Sequence, residues 1–248
     1  MYRIIAYNPD GSQLTIYDPV GAGVLPVLAP KSAEEINEAG SVEFALIYGH
    51  PAYGLLMPKK TYISADLDGN EFFYGRVINA DPSPLTGQIQ YQCAGALSFL
   101  QDSEVPPDSK KSDGTYNFQT MTAEAFLRRC INAHNADVGN DERRIFTVGT
   151  VNHSRKNETR QYQISNYQDT RNVIDQNILN YYGGFLRVRR VNGNLYLDWL
   201  EDGYGDTDEG VLELGRNIIS ILHRMNGEDL FTSIRPVGKG IDSFCKDA

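Results

Sequence analysis

Residues 61–78 read TYISADLDGNEFFYGRVI, and this stretch decides the fold of the first hundred residues. Two runs rich in β-branched and aromatic residues, Thr61 to Leu67 and Glu71 to Ile78, are separated by Asp-Gly-Asn at positions 68–70. Glycine, asparagine and aspartate between two such runs are typical of a tight turn. The stretch therefore predicts a β-hairpin.

Further short strands are predicted on both sides of this hairpin. The other runs with strand character are Tyr2 to Tyr7, Gln13 to Tyr17 after the turn Asn8 to Gly11, Ser41 to Leu46, and Gln88 to Cys93. Alternation within the third run places Val42, Phe44 and Leu46 on one face. Short strands at even spacing favour a small barrel or sandwich. We therefore predict a β-barrel-like domain over residues 1–103.

A short helix and a loop mark the end of this predicted domain. Leu97 and Leu100 lie one turn apart in the run Ala94 to Leu100, which predicts a helix that closes the barrel. Residues 101–114 contain two adjacent prolines, two adjacent lysines and an Asp-Gly step, all typical of a loop. We place a domain boundary between residues 103 and 104.

Helices and strands alternate after this junction, which predicts a mixed α/β domain over residues 104–230. Thr122 is a candidate N-cap for a helix from Ala123 to His134. The residues of its predicted buried face are Phe126, Leu127, Cys130, Ile131 and His134. A second helix is predicted from Asp169 or Thr170 to Tyr181, before two glycines that end it.

The second half also contains a strong hairpin signal. Phe185 to Val191 and Asn194 to Trp199 flank Asn192-Gly193, and an Asn-Gly step between two strands favours a tight hairpin turn. The last runs predicted to be ordered are Ile218 to Arg224 and Phe231 to Val237. The predicted fold class is therefore α+β, an N-terminal β-barrel-like domain followed by a mixed α/β domain.

The composition indicates a folded, acidic protein. The chain has 248 residues, 41% of them hydrophobic and 22% charged, which is enough to build two packed units. A net charge of −9 opposes the basic surface that sequence-independent nucleic-acid binding requires. DNA is therefore not an expected ligand.

Cysteine usage and the N-terminus indicate synthesis and folding in a cytoplasm. Cys93, Cys130 and Cys245 have neither the spacing of a disulfide framework nor that of a thiolate zinc site. The first residues lack the apolar core of a signal peptide, and no later run approaches the ~20 apolar residues of a membrane span. We expect no membrane-spanning segment.

Several blocks of the sequence occur in the same order as in a known family. They are His50 to Tyr53, Asp68-Gly69 followed by Phe73 to Val77, Cys93 to Ser103, Gly183 to Leu186, Tyr196 to Asp198, Leu214 to Ile218, and Thr232 to Gly238. Together they make the chain resemble the N-terminal hub region of the phage minor structural protein and tail-associated lysin (baseplate hub) family of long-tailed phages. The resemblance extends over nearly the whole chain.

This resemblance implies a structural protein of the virion tail that is made in the bacterial host cytoplasm. Three copies would form a ring, a homotrimer, at the end of the tail tube. The ring would connect the tube to distal tail proteins and to a downstream fibre or lysin domain, and DNA would pass through it without specific binding. Each copy would contribute two barrel-like domains, and Thr232 to Gly238 resembles the beginning of the second. We therefore expect residues 231–248 to be the start of that second barrel, truncated at Ala248.

The histidines and cysteines form no recognisable catalytic pattern. His50, His134, His153 and His223 lack the HExxH spacing that places two imidazoles around zinc. We expect His50 to shape a turn and His134 to be partly buried at a helix end. Cys130 lies one helical turn from His134 on the apolar face, which favours a core position over a nucleophile pair. We expect no catalytic, cofactor-binding or metal-ligating residue, and we predict that the chain is not an enzyme.

Residues 201–210, EDGYGDTDEG, form the most acidic segment. Asp198, Glu201 and Asp202 cannot be assigned as a glycosidase pair, because carboxylates abound in an acidic chain and only their separation in space identifies such a pair. The segment also lacks the ligand order and closing glutamate of an EF-hand loop. A solvated hairpin loop is favoured over a calcium site.

Two alternatives to the structural hub stay open at this point. The chain contains 15 tyrosines, whose rings could stack on sugars in a carbohydrate- or receptor-binding module of a tail. Most of these tyrosines fall inside strand patterns, where aromatic residues are ordinary core material. Five examples are Tyr2, Tyr62, Tyr74, Tyr91 and Tyr196. The other alternative is the N-terminal part of a tail-associated cell-wall hydrolase.

Overall fold

A computed structural model describes residues 2–20, 27–139 and 141–201 of the chain. The predicted start of a second barrel at 231–248, the two runs predicted to be ordered after residue 217 and the acidic segment after Glu201 lie outside the described residues. The described residues form one compact unit. β structure dominates the described chain, with few helices.

Seven strands form one antiparallel sheet that curls into a half-barrel. In chain order they are β1 (Tyr2–Tyr7), β2 (Gln13–Tyr17), β3 (Leu28–Ala33), β4 (Ser41–Ile47), β5 (Tyr62–Leu67), β6 (Asn70–Ser83) and β7 (Gln88–Gly95). Their order across the sheet is β2-β1-β5-β6-β7-β4-β3. The β1/β2 and β5/β6 hairpins predicted from the sequence are confirmed.

The hairpin partner β6 is longer than predicted. It continues beyond Ile78 to Ser83, because β7 pairs with it as far as Ser83 opposite Gln88. On the β5 side of β6, backbone contacts with β5 and the segment before it end at Val77. Past that point one edge of β6 has no strand beside it, which is where a proline such as Pro82 is tolerated. Pairing with β7 across the hairpin therefore overrides the local turn signal.

One face of the half-barrel carries its own core. Val42, Phe44 and Leu46 are all buried on β4, as their alternation predicts. They belong to a cluster that also includes Ile4, Ile16, Ile63, Val77 and Tyr91. The remaining strand of this sheet, β3, was not predicted; it contains Pro30 and Lys31, and only pairing with β4 makes it a strand.

A 3₁₀ helix, Ala96–Asp102, follows β7 where a short helix from Ala94 was predicted. Leu97 and Leu100 are buried, and they join a second core cluster that includes Phe126 and Trp199 from the second half of the chain. The division at residues 103 and 104 stays a prediction.

The first predicted helix is confirmed as α1 (Ala123–Val138), four residues longer than the sequence indicated. The Thr122 hydroxyl accepts a hydrogen bond from the Ala125 N–H, which is the expected N-cap contact. All five residues of its predicted apolar face are buried.

The second predicted helix is present but is not a regular α-helix. It consists of α2 (Thr170–Ile174), a π-helical turn (Asp175–Leu179) and α3 (Asn180–Tyr182). Asp169 caps it by accepting the Asn172 N–H. Tyr182 is buried, whereas Tyr181 is 46% exposed. Gly183 and Gly184 have positive φ angles and end the helix, as predicted.

The predicted C-terminal hairpin is also confirmed, and it is part of a small mixed sheet. Asn192 and Gly193 both have positive φ and connect its two strands. The remaining strands are β8 (Glu104–Val105), β9 (Gln119–Thr122), β10 (Phe146–Val151), β11 (Thr159–Tyr162), β12 (Gln168–Asp169), β13 (Phe185–Val191) and β14 (Asn194–Leu200). The sheet order is β10-β14-β13, with β10 parallel to β14, while β9/β11 and β8/β12 are two-stranded.

Candidate interaction surfaces

The one Cys–His pair considered from the sequence lies in the core. Cys130 is fully buried, and burial raises the pKa of its thiol to about 12. His134 is also fully buried and lies four residues before the end of α1, so the expectation of a partly buried residue at a helix end was wrong. The core position predicted for both side chains is confirmed.

Hydrogen bonds fix the His134 ring. Nε2 lies 2.9 Å from the Arg144 carbonyl oxygen, and Nδ1 lies 2.6 Å from Ser103 Oγ. Because a carbonyl only accepts, Nε2 carries the proton and Nδ1 accepts from the Ser103 hydroxyl. Ser103 Oγ is also 2.8 Å from Thr170 Oγ1. Burial lowers the pKa of His134, so the network links three segments around a neutral imidazole.

The other two described histidines also have structural contacts. His50 Nε2 is 3.0 Å from the Ile16 carbonyl oxygen, and its Nδ1 accepts the Ala52 N–H, so His50 shapes a turn as predicted. His153 stacks on Trp199 with ring centroids 4.4 Å apart. His223 lies outside the described residues.

Asp198 is the charged centre of the small mixed sheet. Its side chain is fully buried and accepts hydrogen bonds from Arg187, Arg189 and the Thr150 N–H. Burial alone would raise the pKa of Asp198, but the bonds from Arg189, Thr150 and Arg187 outweigh burial and lower it. Asp198 therefore anchors β13 to β14 and β10.

The acidic segment is described only at its first residue. Glu201 accepts the Ser154 N–H and hydroxyl, at 2.7 Å each. Within the described ranges, no group of three or more His, Cys, Asp or Glu side chains is placed to hold a metal ion. No helix in these same ranges is long and apolar enough to cross a membrane.

The tyrosines that were predicted to lie in strands are found in strands. Tyr62, Tyr74 and Tyr91 are buried, and Tyr62 stacks on Tyr74 at 6.0 Å between ring centroids. Tyr2 is 57% exposed and meets Phe72 edge-on. These tyrosines mostly build the core, as the strand pattern predicts.

One end of the half-barrel exposes apolar side chains. Leu85, in the turn between β6 and β7, is 100% exposed. Tyr48 is 81% exposed; its N–H donates to the Gly87 carbonyl, and its ring meets Tyr53 edge-on at 5.8 Å. We call Tyr48, Tyr53 and Leu85 the hairpin-end patch. Exposed apolar groups that lie together often mark contact surfaces.

A second surface lies between the two edge strands of the half-barrel. A cleft of about 480 Å³ has Tyr17 of β2 on one side and Pro30 to Ser32 of β3 on the other. Tyr2 and Phe72 also line it. The curled sheet therefore leaves an opening between β2 and β3.

A third surface, which we call the β13 cleft, is a cavity of about 330 Å³ lined in part by β13. Its lining includes Val188 and Arg190 together with Glu34, Glu35 and Glu38. This cleft could not be predicted from the sequence, because the glutamates and the β13 residues that line it are about 150 positions apart in the chain. The only local signal was three glutamates within five positions.

Comparisons with known proteins give matches among solved structures only. No protein-family model matches the chain, and no curated protein matches it. Three of the similar solved structures are a prophage tail protein from Listeria monocytogenes EGD-e (15% identity, TM-score 0.49), the 43 kDa tail protein of prophage MuSo2 from Shewanella oneidensis (16%, 0.46), and a tail protein from Neisseria meningitidis MC58 (11%, 0.49).

Each of these matches covers 79% of this chain. In the other direction they cover 50%, 52% and 50% of the three tail proteins, so the chain spans about half their length.

Proposed function

We propose that this chain is a structural component of a phage or prophage tail, and that it acts as a hub at the tail tip. The observation that carries the proposal is the hairpin-end patch. The fully exposed leucine in the turn of a long hairpin has no role in the core of a single copy, and neither has the exposed ring of Tyr48, whose backbone bonds to that turn. Such a surface fits a protein whose work is to contact other proteins.

The sequence blocks behind the hub resemblance support the proposal by their positions. Phe73 to Val77 lies in β6, and Cys93 to Ser103 spans the end of β7 and the 3₁₀ helix. Gly183 to Leu186 leads into β13, and Tyr196 to Asp198 lies in β14. The blocks thus coincide with elements that build the half-barrel and the small mixed sheet.

The hub is proposed to be a homotrimeric ring between the tail tube and the distal fibre or lysin parts. Residues 1–103 would be the tube-docking domain, and residues 104–230 would support it. DNA would pass through the ring without specific binding. The protein would be made in the host cytoplasm and reside in the virion tail. The proposal gives the chain no catalytic role, and the burial of Cys130 and His134 keeps this pair out of reach of a substrate.

The mass of the purified chain in solution tests the ring. We expect native mass spectrometry and light scattering to give three times 27.7 kDa at high protein concentration, and electron micrographs to show rings. A chain that stays monomeric across the concentration range, or rings of another order, would contradict the hub.

The two alternatives predict different results. A cell-wall hydrolase would clear peptidoglycan on a zymogram, and the activity would be lost in Cys130→Ala or His134→Ala. A receptor-binding module would bind host glycans saturably. We expect neither result.

A further inference from the structure

The strand β13 has an open edge in the β13 cleft. The Leu186 N–H donates to Asn37 Oδ1 at 2.8 Å, which shows that the backbone of Leu186 faces away from β14. In an antiparallel pair the residues alternate between facing the partner strand and facing away from it. The N–H and C=O groups of Val188 and Arg190 therefore face outward too. Among the described residues, no hydrogen bond reaches these four groups.

The chain already uses one side chain in place of a neighbouring strand at the start of this edge. Asn37 accepts the Leu186 N–H through Oδ1 and donates to the Gly184 carbonyl through Nδ2. The guanidinium of Arg171 holds the Asn37 backbone carbonyl, so the amide is fixed in position. From Leu186 to Arg190 the edge extends about 13 Å, room for four or five residues of an added strand.

The two edges of the half-barrel are less suited to such pairing. On β3 the edge carries Pro30 and Lys31 beside a register shift, features that block the addition of a strand. On β2 the Ile16 carbonyl is already occupied by His50. The open edge in the β13 cleft has neither obstacle.

The charge of the cleft specifies the partner. Glu34, Glu35 and Glu38 are exposed and line the cleft together with β13, and none of them forms an ion pair within the described ranges. Arg190 pairs with Glu71 at 2.9 Å, and Arg189 pairs with Asp198, which it shares with Arg187. The lining of the cleft contains four glutamates and only two arginines. The unpaired charge that faces an incoming segment is therefore negative, and it complements lysine or arginine.

We infer that the β13 cleft binds an extended, basic segment of another tail protein, which adds as a strand to β13. Backbone hydrogen bonds to Val188 and Arg190 supply the pairing, and lysine or arginine side chains on the segment meet Glu34, Glu35 and Glu38. The inference rests on the proposed function only in taking the partner to be a tail component. The site itself is defined by the strand edge and the carboxylates.

A labelled heptapeptide that alternates lysine and valine tests the cleft. We expect saturable binding by fluorescence anisotropy, and slower hydrogen exchange at the Val188 and Arg190 amides when the peptide is present. A peptide that alternates glutamate and valine is the matched control and should bind at least tenfold more weakly.

Two sets of variants separate the strand edge from the charge. Val188→Pro removes an outward N–H and should abolish binding, whereas Val188→Thr keeps that N–H and should bind like the unmodified chain. The triple variant Glu34→Gln, Glu35→Gln, Glu38→Gln changes only exposed groups and should weaken binding at least tenfold.

Three results would overturn the inference. The first is that the acidic peptide binds as tightly as the basic peptide. The second is that the triple glutamine variant keeps the binding and the exchange protection unchanged. The third is that the basic peptide does not bind below about 1 mM. The mass of the ring is measured without peptide. A negative result in the peptide experiment therefore leaves the hub proposal intact, and the two proposals can fail separately.

Discussion

His134 is a histidine that the fold keeps uncharged. Its two ring nitrogens are occupied by the Arg144 carbonyl and the Ser103 hydroxyl, and protonation of Nδ1 would remove the acceptor to which the Ser103 hydroxyl donates. Burial is the largest cause of its lowered pKa, and the nearby Arg144 guanidinium also lowers it. Asp102 and Asp137 act in the opposite direction but do not restore the ordinary value.

This geometry predicts a loss of stability in mild acid. The pKa of His134 is lower in the folded chain than its ordinary value of 6.5, so the unfolded chain takes up the proton first. The stabilisation is complete above pH 6.5 and declines as the pH falls below it, by up to about 1.4 kcal/mol per pH unit. Urea unfolding at pH 7.5 and pH 5.5 measures the change.

His134→Gln is the matched control for this prediction, because an amide can donate to Arg144 and accept from Ser103 without titrating. The variant should lose less stability than the unmodified chain between these two pH values. Equal losses in both proteins would show that His134 does not contribute. The Asp198 carboxylate does not interfere, because its lowered pKa places its own loss of stability at more acidic pH.

At the scale of single elements, β6 and β7 approach closely where two glycines face each other. Gly75 pairs with Gly95, and a Cβ on Gly95 would collide with the Ala39 carbonyl oxygen. A Cβ on Gly75 would collide with the Ala94 carbonyl oxygen. Both obstacles are backbone atoms, so neither can move aside cheaply.

We therefore expect Gly95→Ala to destabilise the chain by about 1–3 kcal/mol. Gln92→Ala on the same strand, at a half-buried position, is the control and should change the free energy of unfolding by less than about 0.5 kcal/mol. Chemical denaturation of both variants checks the difference. Similar values for the two would mean that the sheet relaxes around the added methyl group.

The loop after the 3₁₀ helix should be the first site of tryptic cleavage. Lys110 and Lys111 are exposed in a turn in which the Lys111 N–H bonds to the Thr115 carbonyl. Limited digestion followed by mass spectrometry should show this cut first, which tests the predicted boundary after residue 103. Initial cleavage inside residues 61–93 would contradict it. Because Leu97 and Phe126 share one core cluster, the cut chain should still elute as one species without denaturant.

The sequence predicted the elements whose signals are local. The Asn192-Gly193 turn, the Thr122 cap and the alternation of β4 each depend on neighbours within a few residues, and each is confirmed. The strands that were missed, β3 and β8 to β12, depend on partners elsewhere in the chain. The β13 cleft was missed for the same reason, since Glu34 and Val188 meet only after folding.

At the scale of the whole molecule, the charge balance constrains the proposed ring. Each chain has a net charge of −9, so three copies carry −27 in total. Basic patches on the inner surface of a ring would bind the phosphates of DNA and slow its passage, so a ring in the path of DNA should lack them. Self-repulsion between the copies must at the same time be offset by apolar contacts, for which the hairpin-end patch is available.

We therefore expect the inner surface of the ring to be acidic or neutral. The surplus carboxylates should face the channel in part, and the segment from Glu201 to Glu209 is a candidate for the channel or the outer rim by its sequence. Electron cryomicroscopy of the assembled ring measures which side chains line the channel. Gel-shift assays at low salt should show no retention of linear double-stranded DNA, because too few cations are available to release its counterions. A channel lined mainly by lysine and arginine, or tight DNA binding that weakens steeply with salt, would refute the charge argument.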